Sequence, residues 1–465
     1  MPHHDLVVIG TGSGNSILDP RFAGWDVAIV EQGVFGGTCL NVGCIPTKMF
    51  VHTADVAATP AGSARLGVDE TLDGVRWADV RDRIFGRIDP ISAGGREYRL
   101  AHPDNANVTV YEGSARFVGD RRLSITPNAG GPAEVITAGT VVLAAGGRPR
   151  VPDVPGLAEA GFHTSDTVMR LESLPRRMII IGSGFVGAEL AHVFSAFGVS
   201  ITMIARSGAL LRHEDVDIST RFTELAAKRW DVRLNCKELG AERTAGGVVL
   251  HLDGPHGRES VEADELLVAV GREPNSDRLD VAAGGVAVGP DGHVIVDEYQ
   301  RTTADGVWAL GDICSPWELK HVANHEARIV QHNLLHPDEL MAADHRFVPH
   351  AVFTSPQVAS VGLTEQDATA RGVRFVQSTQ DYAGIAYGWA MEDTTGFAKV
   401  LADPTSGRIL GAHIIGAQAS SLIQPLIQAM SFGLDARTMA RGQYWIHPAL
   451  PELVENALLN LPLDG

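Results

Sequence analysis

Cysteine is scarce in this chain, which has four in 465 residues. A disulfide-stabilised scaffold is therefore excluded, because such folds concentrate cysteines in short secreted chains. No apolar run approaches the roughly 20 residues that a membrane-spanning helix needs. The first five residues lack the basic region of a secretory signal. These absences predict a cytoplasmic protein. Its length of 465 residues is enough for about three domains of roughly 150 residues each.

Basic residues are also in deficit, with 38 lysines and arginines against 56 aspartates and glutamates. The formal charge of −18 argues against nucleic acid or an anionic membrane as a partner. Apolar residues make up 45% of the chain and charged residues 20%, which is ordinary for a globular protein. The negative charge is explained most simply by solubility.

Two similar units follow each other along the chain. Each begins with a short strand, at 5–9 and at 178–181, and continues into a glycine-rich turn. Each closes with a strand that leads into a Gly-Arg pair, at 147–148 and at 271–272. Duplication of a nucleotide-binding unit predicts two bound nucleotides.

These units predict an α/β fold with two Rossmann-like nucleotide-binding domains and a C-terminal α+β domain. We place the first domain at residues 1–150 and the second at 151–275. A short strand ending at Leu310 predicts that segment 276–340 returns to the first domain. Residues 341–465 alternate strands with helices and form the third domain.

Both glycine turns meet the requirements of a dinucleotide site. Glycine is needed where the backbone bends tightly and approaches pyrophosphate, which then rests on helix N–H groups. One match is weak, but two matches between a strand and a helix predict two sites. The glycines are Gly10, Gly12 and Gly14 in the first turn, and Gly182, Gly184 and Gly187 in the second.

The residue that follows the second strand of each unit distinguishes the two predicted nucleotides. Glu31 ends the second strand of the first unit, where a carboxylate binds an adenosine ribose hydroxyl. The second unit has Ala205 and Arg206 there, followed by Arg212. Two guanidinium groups favour a 2′-phosphate, which predicts NADPH. The alternative is that both arginines are only exposed surface residues.

The first unit also departs from the usual pattern. Asn15 fills the position of the third glycine, and Asp19-Pro20 predicts an early end to the helix that follows the turn.

A pair of thiols, Cys39 and Cys44, lies beside the first predicted nucleotide site. A Cys-x4-Cys pair alone is a modest signal, and two buried thiols or half a zinc site are alternatives. Zinc is disfavoured because Cys236 and Cys314 are isolated, and we interpret both as inert core residues. The position of the pair suggests a dithiol that exchanges electrons with a bound cofactor.

A reducible disulfide needs a thiolate to attack and a proton for the departing sulfur, so a base is useful. The best candidate is His447, followed five residues later by Glu452, which could hold the imidazole in one tautomer. A His-Pro loop is more often structural when it occurs alone, but a thiol motif in the same chain favours the catalytic interpretation.

Together these motifs resemble the class I pyridine nucleotide–disulfide oxidoreductases, the family of glutathione reductase and dihydrolipoamide dehydrogenase. The resemblance covers nearly the whole chain and is carried by both glycine turns and by residues 36–48, 309–312, 353–356, 361–365 and 447–452. It implies FAD in the first unit, NADPH in the second, a homodimer formed by the third domain, and a small-molecule disulfide as substrate.

The resemblance also assigns roles to single residues. Asp312 would bond the ribityl chain of FAD, and Lys48 would lie near flavin N5 in a pair with Glu189. Further cofactor contacts implied in this way are Thr38, Ala115, Gly146, His321 and Ala323 for FAD, and Val186 and Gly271 for NADPH.

For the dithiol, the resemblance implies a two-stage reaction. NADPH would reduce FAD, and reduced FAD would open a Cys39–Cys44 disulfide. Cys44 would then be the charge-transfer thiolate and Cys39 would attack the substrate. His447 would serve the thiols of the other subunit by protonating the departing sulfur.

Differences between this sequence and other members of the family limit which disulfide can be the substrate. The chain lacks the C-terminal cysteines of mercuric reductases and large thioredoxin reductases, and its two arginines disagree with the NAD preference of dihydrolipoamide dehydrogenases. Glutathione reductases bind substrate carboxylates with arginines of the first helix, of which only Arg21 is present here. A less anionic disulfide is therefore expected.

A finer resemblance, at residues 10–16 and 319–328, is to the mycothione reductases, whose substrate is a neutral pseudo-disaccharide disulfide. The expected reaction is NADPH-dependent reduction of mycothione to mycothiol. Two alternatives stay open, namely a dihydrolipoamide dehydrogenase-like or other small-disulfide reductase, and a flavin-bearing scaffold without turnover. No metal site is predicted, because ordinary helix-face positions explain the paired histidines His321 and His325, and His332 and His336.

Overall fold

A computed structural model describes residues 1–464. Its strands are β1 (His3–Ile9), β2 (Val27–Glu31), β3 (Val108–Gly119), β4 (Arg122–Pro127), β5 (Glu134–Leu143), β6 (Gly147–Pro149), β7 (Arg177–Ile181), β8 (Ser200–Ile204), β9 (Asp231–Arg233), β10 (Lys237–Thr244), β11 (Gly247–Gly254), β12 (Gly257–Ala263), β13 (Glu265–Val268), β14 (Arg272–Pro274), β15 (Val307–Ala309), β16 (Pro349–Val352), β17 (Gln357–Gly362), β18 (Val376–Asp381), β19 (Phe397–Ala402) and β20 (Ile409–Gly416).

The α-helices of the same residues lie between and around these strands. They are α1 (Gly37–Asn41), α2 (Cys44–Ser63), α3 (Trp77–Ala101), α4 (Leu157–Ala160), α5 (Phe185–Ala196), α6 (Val216–Ala227), α7 (Lys320–Leu335), α8 (Glu365–Ala370), α9 (Ala386–Met391), α10 (Ala419–Leu422), α11 (Gln424–Phe432), α12 (Ala436–Arg441) and α13 (Glu452–Leu459). None of them combines the length and the apolar character of a membrane span.

The first sheet has β1 at its centre, paired in parallel with β2 and β5. Leu6, Val7 and Val8 of β1 are all fully buried, so both faces of this strand are covered. Much later in the chain, β15 joins the same sheet by pairing in parallel with β5. With β5 between them, β15 and β1 have their carboxyl ends at the same edge of the sheet, where the Gly311 turn and the first glycine turn both lie.

The second sheet repeats this plan. Strands β13, β7, β8 and β9 pair in parallel in that order, and β7 leads into the second glycine turn. An antiparallel layer of β10, β11 and β12 belongs to the same unit, and its apolar residues share one core with those of β7 and β13.

The third sheet is antiparallel, in the order β16-β17-β20-β19-β18. Strands β19 and β20 are buried along their whole length, with helices α10 to α13 contributing to the core beside them. Several apolar side chains nevertheless stay on the surface of this region, among them Trp389, Phe432, Tyr444 and Ile446. Such a surface suits contact with another chain.

The chain does not form an α-helix after the first glycine turn. Two short 3₁₀ turns, Gly14–Ile17 and Pro20–Phe22, take its place, which confirms the early stop expected at Asp19-Pro20. Asn15 has a separate role here, because its Oδ1 accepts a hydrogen bond at 2.8 Å from Nε of the buried Arg99. The third-glycine position thus anchors the turn to α3.

Candidate active site

The two predicted redox thiols lie at the start of two successive helices. Cys39 is in α1, and Cys44 is the first residue of α2. A hydrogen bond from Cys39 lowers the pKa of Cys44 to about 7, with help from the charge of Lys48 and against the effect of burial. The same hydrogen bond raises the pKa of Cys39. Of the two thiols, Cys44 is therefore the one that ionises more readily.

Both thiols line a cavity of about 730 Å³ between the first and second units. Its walls include most of the residues expected to contact FAD, and Val186 of the second unit. Gly14 and His321 do not line it, and the other predicted residues lie elsewhere in the second unit or in the third domain. The predicted residues in the wall are Gly10, Gly12, Glu31, Thr38, Cys39, Cys44, Lys48, Ala115, Gly146, Val186, Glu189, Asp312 and Ala323.

The first glycine turn is bound tightly to the sheet and to Glu31. Gly10 has φ of +103°, and a Cβ there would lie 2.4 Å from the carbonyl oxygen of Ala144. Oε2 of Glu31 accepts hydrogen bonds from the amide and the hydroxyl of Thr11, at 2.8 and 2.6 Å. Each carboxylate oxygen has two lone pairs, so Glu31 keeps capacity for a ribose hydroxyl.

Lys48 forms an ion pair with Glu189, which is 141 residues away in sequence. Nζ of Lys48 lies 2.6 Å from Oε2 of Glu189. The amide of Phe353 donates to the other carboxylate oxygen at 2.9 Å. Because the side chain of Glu189 is only 5% exposed, both of its oxygens need these partners.

The second glycine turn, like the first, combines a positive φ with a close approach to a neighbouring segment of backbone. Gly182 has φ of +135°, and a Cβ there would lie 2.1 Å from the carbonyl oxygen of Ala269. A Cβ on Gly187 would lie 3.3 Å from the carbonyl oxygen of Gly182, so this glycine lets the helix pack closely against the turn. A Cβ at Gly184 would meet no atom of residues 1–464 within 4 Å, so packing does not require this glycine. Close approach of a ligand to its backbone would explain it.

The two arginines predicted to recognise a 2′-phosphate follow β8 on an exposed loop. Arg212 is exposed, and Arg206 is exposed except at Nε, which donates to Glu238 at 2.7 Å. The loop is attached to the second glycine turn, because the amide of Leu211 donates to the carbonyl of Ser183 at 2.8 Å. Gly271 follows β13 with φ of +109°.

A buried carboxylate supports the turn that carries Asp312. Oε2 of Glu326 accepts a hydrogen bond from the amide of Gly311 at 2.7 Å. Burial raises the pKa of Asp312, which lines the cavity. His321 points elsewhere, since its Nε2 bonds the carbonyl oxygen of Pro349 at 2.8 Å.

His447 and Glu452 form the expected pair at the surface of the third domain. Nδ1 of His447 lies 2.7 Å from Oε1 of Glu452, and the other oxygen accepts from the amide of Ala449 at 3.1 Å. The hydrogen bond with His447 lowers the pKa of Glu452. The imidazole is 70% exposed, so its Nε2 is free to meet another molecule.

The remaining cysteines and histidines do not add to this site. Cys236 and Cys314 are buried, which confirms their interpretation as core residues. Residues 1–464 bring together no group of three or more potential metal ligands.

Several residues of the site were not predicted from sequence. Thr11, Lys320, Glu238 and Glu326 hold or line it, and Lys320 donates from Nζ to the hydroxyl of Ser13 at 2.6 Å. A signal was available for Glu326, which is a charged residue among the buried apolar positions of α7. Glu238 gave no such signal, because most residues of β10 are polar.

Comparison with known proteins places the chain in a family. Residues 4–327 match the model described as pyridine nucleotide-disulphide oxidoreductase, and residues 348–458 match the dimerisation domain of that family. The chain belongs to the pyridine nucleotide-disulphide oxidoreductases. The resemblance seen in the sequence is thereby confirmed, as is the fold class of two nucleotide-binding domains and a dimerisation domain.

Individual relatives extend this finding over the full length. The chain is 56% identical to the mycothione reductase of Mycobacterium tuberculosis, over 99% of this chain and all of that protein. It is 32% identical to a mercuric reductase of Streptomyces lividans, over 96% and 93% of the two chains. Its structure is similar to that of the HOCl-induced flavoprotein disulfide reductase RclA from Escherichia coli, with a TM-score of 0.85, 28% identity and coverage of 98% and 99%.

Proposed function

We propose that this protein is an NADPH-dependent flavoprotein disulfide reductase that reduces mycothione to mycothiol. The family supports the class of reaction, and the full-length identity to a protein named mycothione reductase supports the substrate. The observation that carries the proposal is the dithiol itself, with a thiol of lowered pKa at the wall of a cavity between two dinucleotide turns.

The cavity fits FAD by its shape and by its unused polar groups. A Cβ on Gly37 would lie 2.7 Å from Cα of Gly12. The two backbones therefore approach each other closely in the cavity wall, with no room for a side chain between them. The carboxyl of Asp312 forms no side-chain hydrogen bond within residues 1–464 and can accept one from a ribityl hydroxyl. We propose that FAD also contacts other residues of the cavity wall, namely Glu31, Thr38, Ala115, Gly146 and Ala323.

The second turn suits NADPH, with the pyrophosphate at the start of α5 and the 2′-phosphate at Arg206 and Arg212. Val186 and Glu189 line the cavity from the side of this helix. Bound FAD and NADPH would supply the two electrons that reduce a Cys39–Cys44 disulfide to the dithiol.

The thiols then divide the reduction of the substrate between them. Cys39 attacks one sulfur of the substrate, so that a Cys39–substrate bond forms as the substrate disulfide breaks, and the first thiol leaves with a proton. Cys44 next attacks Sγ of Cys39, which releases the second thiol and restores the internal disulfide. The lowered pKa of Cys44 favours the thiolate needed for this second attack.

We propose that His447 of a second subunit supplies the proton to the departing thiol. The chain carries the dimerisation domain of the family, which supports a homodimer. His447 is exposed beside the exposed apolar residues Tyr444 and Ile446, where a partner would cover it. Glu452 holds its Nδ1, which leaves Nε2 to transfer the proton.

The substrate pocket lacks the basic helix that an anionic disulfide would need. Arg21, the only arginine of that segment, is held by Asp19, whose carboxylate also accepts from the Arg21 amide at 2.9 Å. A neutral disulfide such as mycothione fits this arrangement. We further propose the domain limits 1–150, 151–275, 276–340 and 341–465, and a cytoplasmic location, where NADPH is supplied.

A steady-state assay with two reductants and three disulfides tests the proposal. NADPH with mycothione should give the highest kcat/KM, above NADH and above lipoamide or glutathione disulfide. An Arg206→Ala, Arg212→Ala double variant should lose affinity for NADPH and keep that for NADH, with Arg258→Ala as an exposed control in the same unit. A preference for NADH with lipoamide would contradict the assignment and favour a dihydrolipoamide dehydrogenase.

A further inference from the structure

Glu238 is a buried acid in the unit assigned to NADPH. It is the second residue of β10, and its side chain is only 2% exposed. Its Oε2 lies 2.7 Å from Nε of Arg206, whose own side chain is 61% exposed. The ion pair therefore has its negative end inside the protein and its positive end at the surface.

This geometry restrains the guanidinium of Arg206. A carboxylate removed from water needs a partner, and within residues 1–464 Arg206 is the side chain that supplies one. Contact through Nε occupies one N–H of the guanidinium and leaves the four N–H groups of Nη1 and Nη2. In residues 1–464 these groups form no hydrogen bond, so they remain available to an anion.

The restrained guanidinium lies at the position that decides between the two nicotinamide cofactors. Arg206 comes two residues after the end of β8, where other dinucleotide folds place a carboxylate for the ribose. The loop it begins is attached to the second glycine turn, both by the Leu211 amide and by the hydroxyls of Ser207 and Ser183, 3.4 Å apart. The guanidinium is thus set at a defined place relative to the pyrophosphate turn.

We propose that Glu238 is a positioning residue for nucleotide specificity, which holds the guanidinium of Arg206 in the orientation that binds the 2′-phosphate of NADPH. This inference depends on the proposed use of NADPH. The acid itself cannot reach a ribose, because it is buried and Arg206 covers its exposed side. Its contribution is preorganisation, since an arginine already fixed loses less freedom when the phosphate binds.

The test measures binding without turnover. Calorimetry on the flavin-loaded enzyme compares adenosine 2′,5′-bisphosphate, which carries the 2′-phosphate, with adenosine 5′-diphosphate, which does not. Glu238→Gln should weaken the first ligand by about three- to tenfold, the effect of freeing one long side chain, and leave the second unchanged. Glu242→Gln, an exposed acid on the same strand, is the control and should change neither.

Two further variants complete the test. In an Arg206→Ala background, Glu238→Gln should have no additional effect on either ligand. Glu238→Asp keeps the charge with a shorter reach and should weaken the bisphosphate by a smaller factor, which provides the readout if the glutamine variant does not fold. Flavin content and melting temperature, compared with those of Glu242→Gln, establish that each variant is folded.

Other results would overturn the inference. Tighter or unchanged binding of the bisphosphate would mean that Glu238 only neutralises Arg206, and an equal loss for both ligands would mean that the acid serves the ribose or the fold. If Arg206→Ala alone left the bisphosphate affinity unchanged, the NADPH assignment itself would fail, and that outcome is distinct from failure at Glu238.

Discussion

Replacing Lys48 with methionine should raise the pKa of Cys44. Lys48 follows Cys44 by one turn of α2, so the two side chains share a face of the helix. At about 6 Å and an effective dielectric constant of about 20, the attraction between the ammonium and the thiolate is about 2.8 kcal/mol. Glu189 raises the pKa of Cys44 in the wild type and in the variant alike, so it does not offset this loss. The loss of about 2.8 kcal/mol corresponds to about two pH units.

The assay is alkylation of the reduced enzyme by iodoacetamide across a pH series, with the modified cysteine identified by mass spectrometry. Only the thiolate reacts, so the rate at Cys44 rises with pH and is half-maximal at its pKa. The wild-type midpoint should lie near the value of about 7 given by the structure. In Lys48→Met it should move up to about 9. Lys228→Met, at an exposed lysine that follows α6, should leave it in place.

The Glu189→Gln variant should change the pKa of Cys44 in the direction opposite to Lys48→Met. It removes a negative charge whose field disfavours the thiolate, so the midpoint should fall or stay at the wild-type value. If the Lys48→Met midpoint stayed within about 0.3 pH unit of wild type, or if both variants moved it upward, the electrostatic account of Cys44 would be wrong.

Two further predictions concern the third domain. Glu452→Gln should lower kcat by about ten- to a hundredfold, because the His447 ring loses the carboxylate 2.7 Å from Nδ1 that orients it, while flavin reduction by NADPH stays normal in stopped-flow; slowed flavin reduction would contradict this. Lys399→Met should destabilise the protein by about 3 kcal/mol in denaturant unfolding, because Asp215, fully buried and 2.9 Å from Nζ, is left without its cation; an unchanged midpoint would contradict this. Burial opposes ionisation of Asp215, but the hydrogen bonds from Lys399 and from the Glu365 amide, together with the nearby positive charge, outweigh it. The pKa is therefore lowered, and the stabilisation is lost as pH falls through that pKa. The variant should therefore unfold in acid with a smaller dependence on pH than the wild type.

The motifs near each glycine turn could be predicted because local geometry determines them. Gly10 and Gly182 adopt positive φ against a neighbouring strand, which glycine alone tolerates without strain, and Asp19-Pro20 stops a helix through the proline ring. Each of these effects depends on residues that are close in sequence. The same holds for His447 and Glu452, which lie five residues apart.

Pairs that depend on how strands and helices are placed in space could not be derived from the residues. Glu238 meets Arg206 because β10 lies beside the end of β8, and no spacing in the sequence indicates that contact. Lys399 stands inside the apolar strand β19, which signals a buried charge but not its partners. The Lys48–Glu189 pair was expected only because the family has it.

The distance of His321 from the cavity has a similar cause. Its ring bonds the carbonyl oxygen of Pro349 in the third domain, which is 28 residues further along the chain. Which side chain of α7 faces the cavity depends on the rotation of the helix. The structure places the predicted Ala323 and the unpredicted Lys320 in the cavity wall, but not His321.

The most direct test of the account is a count of thiols in the purified, flavin-loaded enzyme before and after anaerobic addition of NADPH. Reduction of a Cys39–Cys44 disulfide should add two reactive thiols per chain in the wild type and none in Cys39→Ser, while both proteins bleach their flavin absorbance. An enzyme whose flavin is reduced by NADPH but which gains no thiols would contradict the transfer of electrons from flavin to this pair.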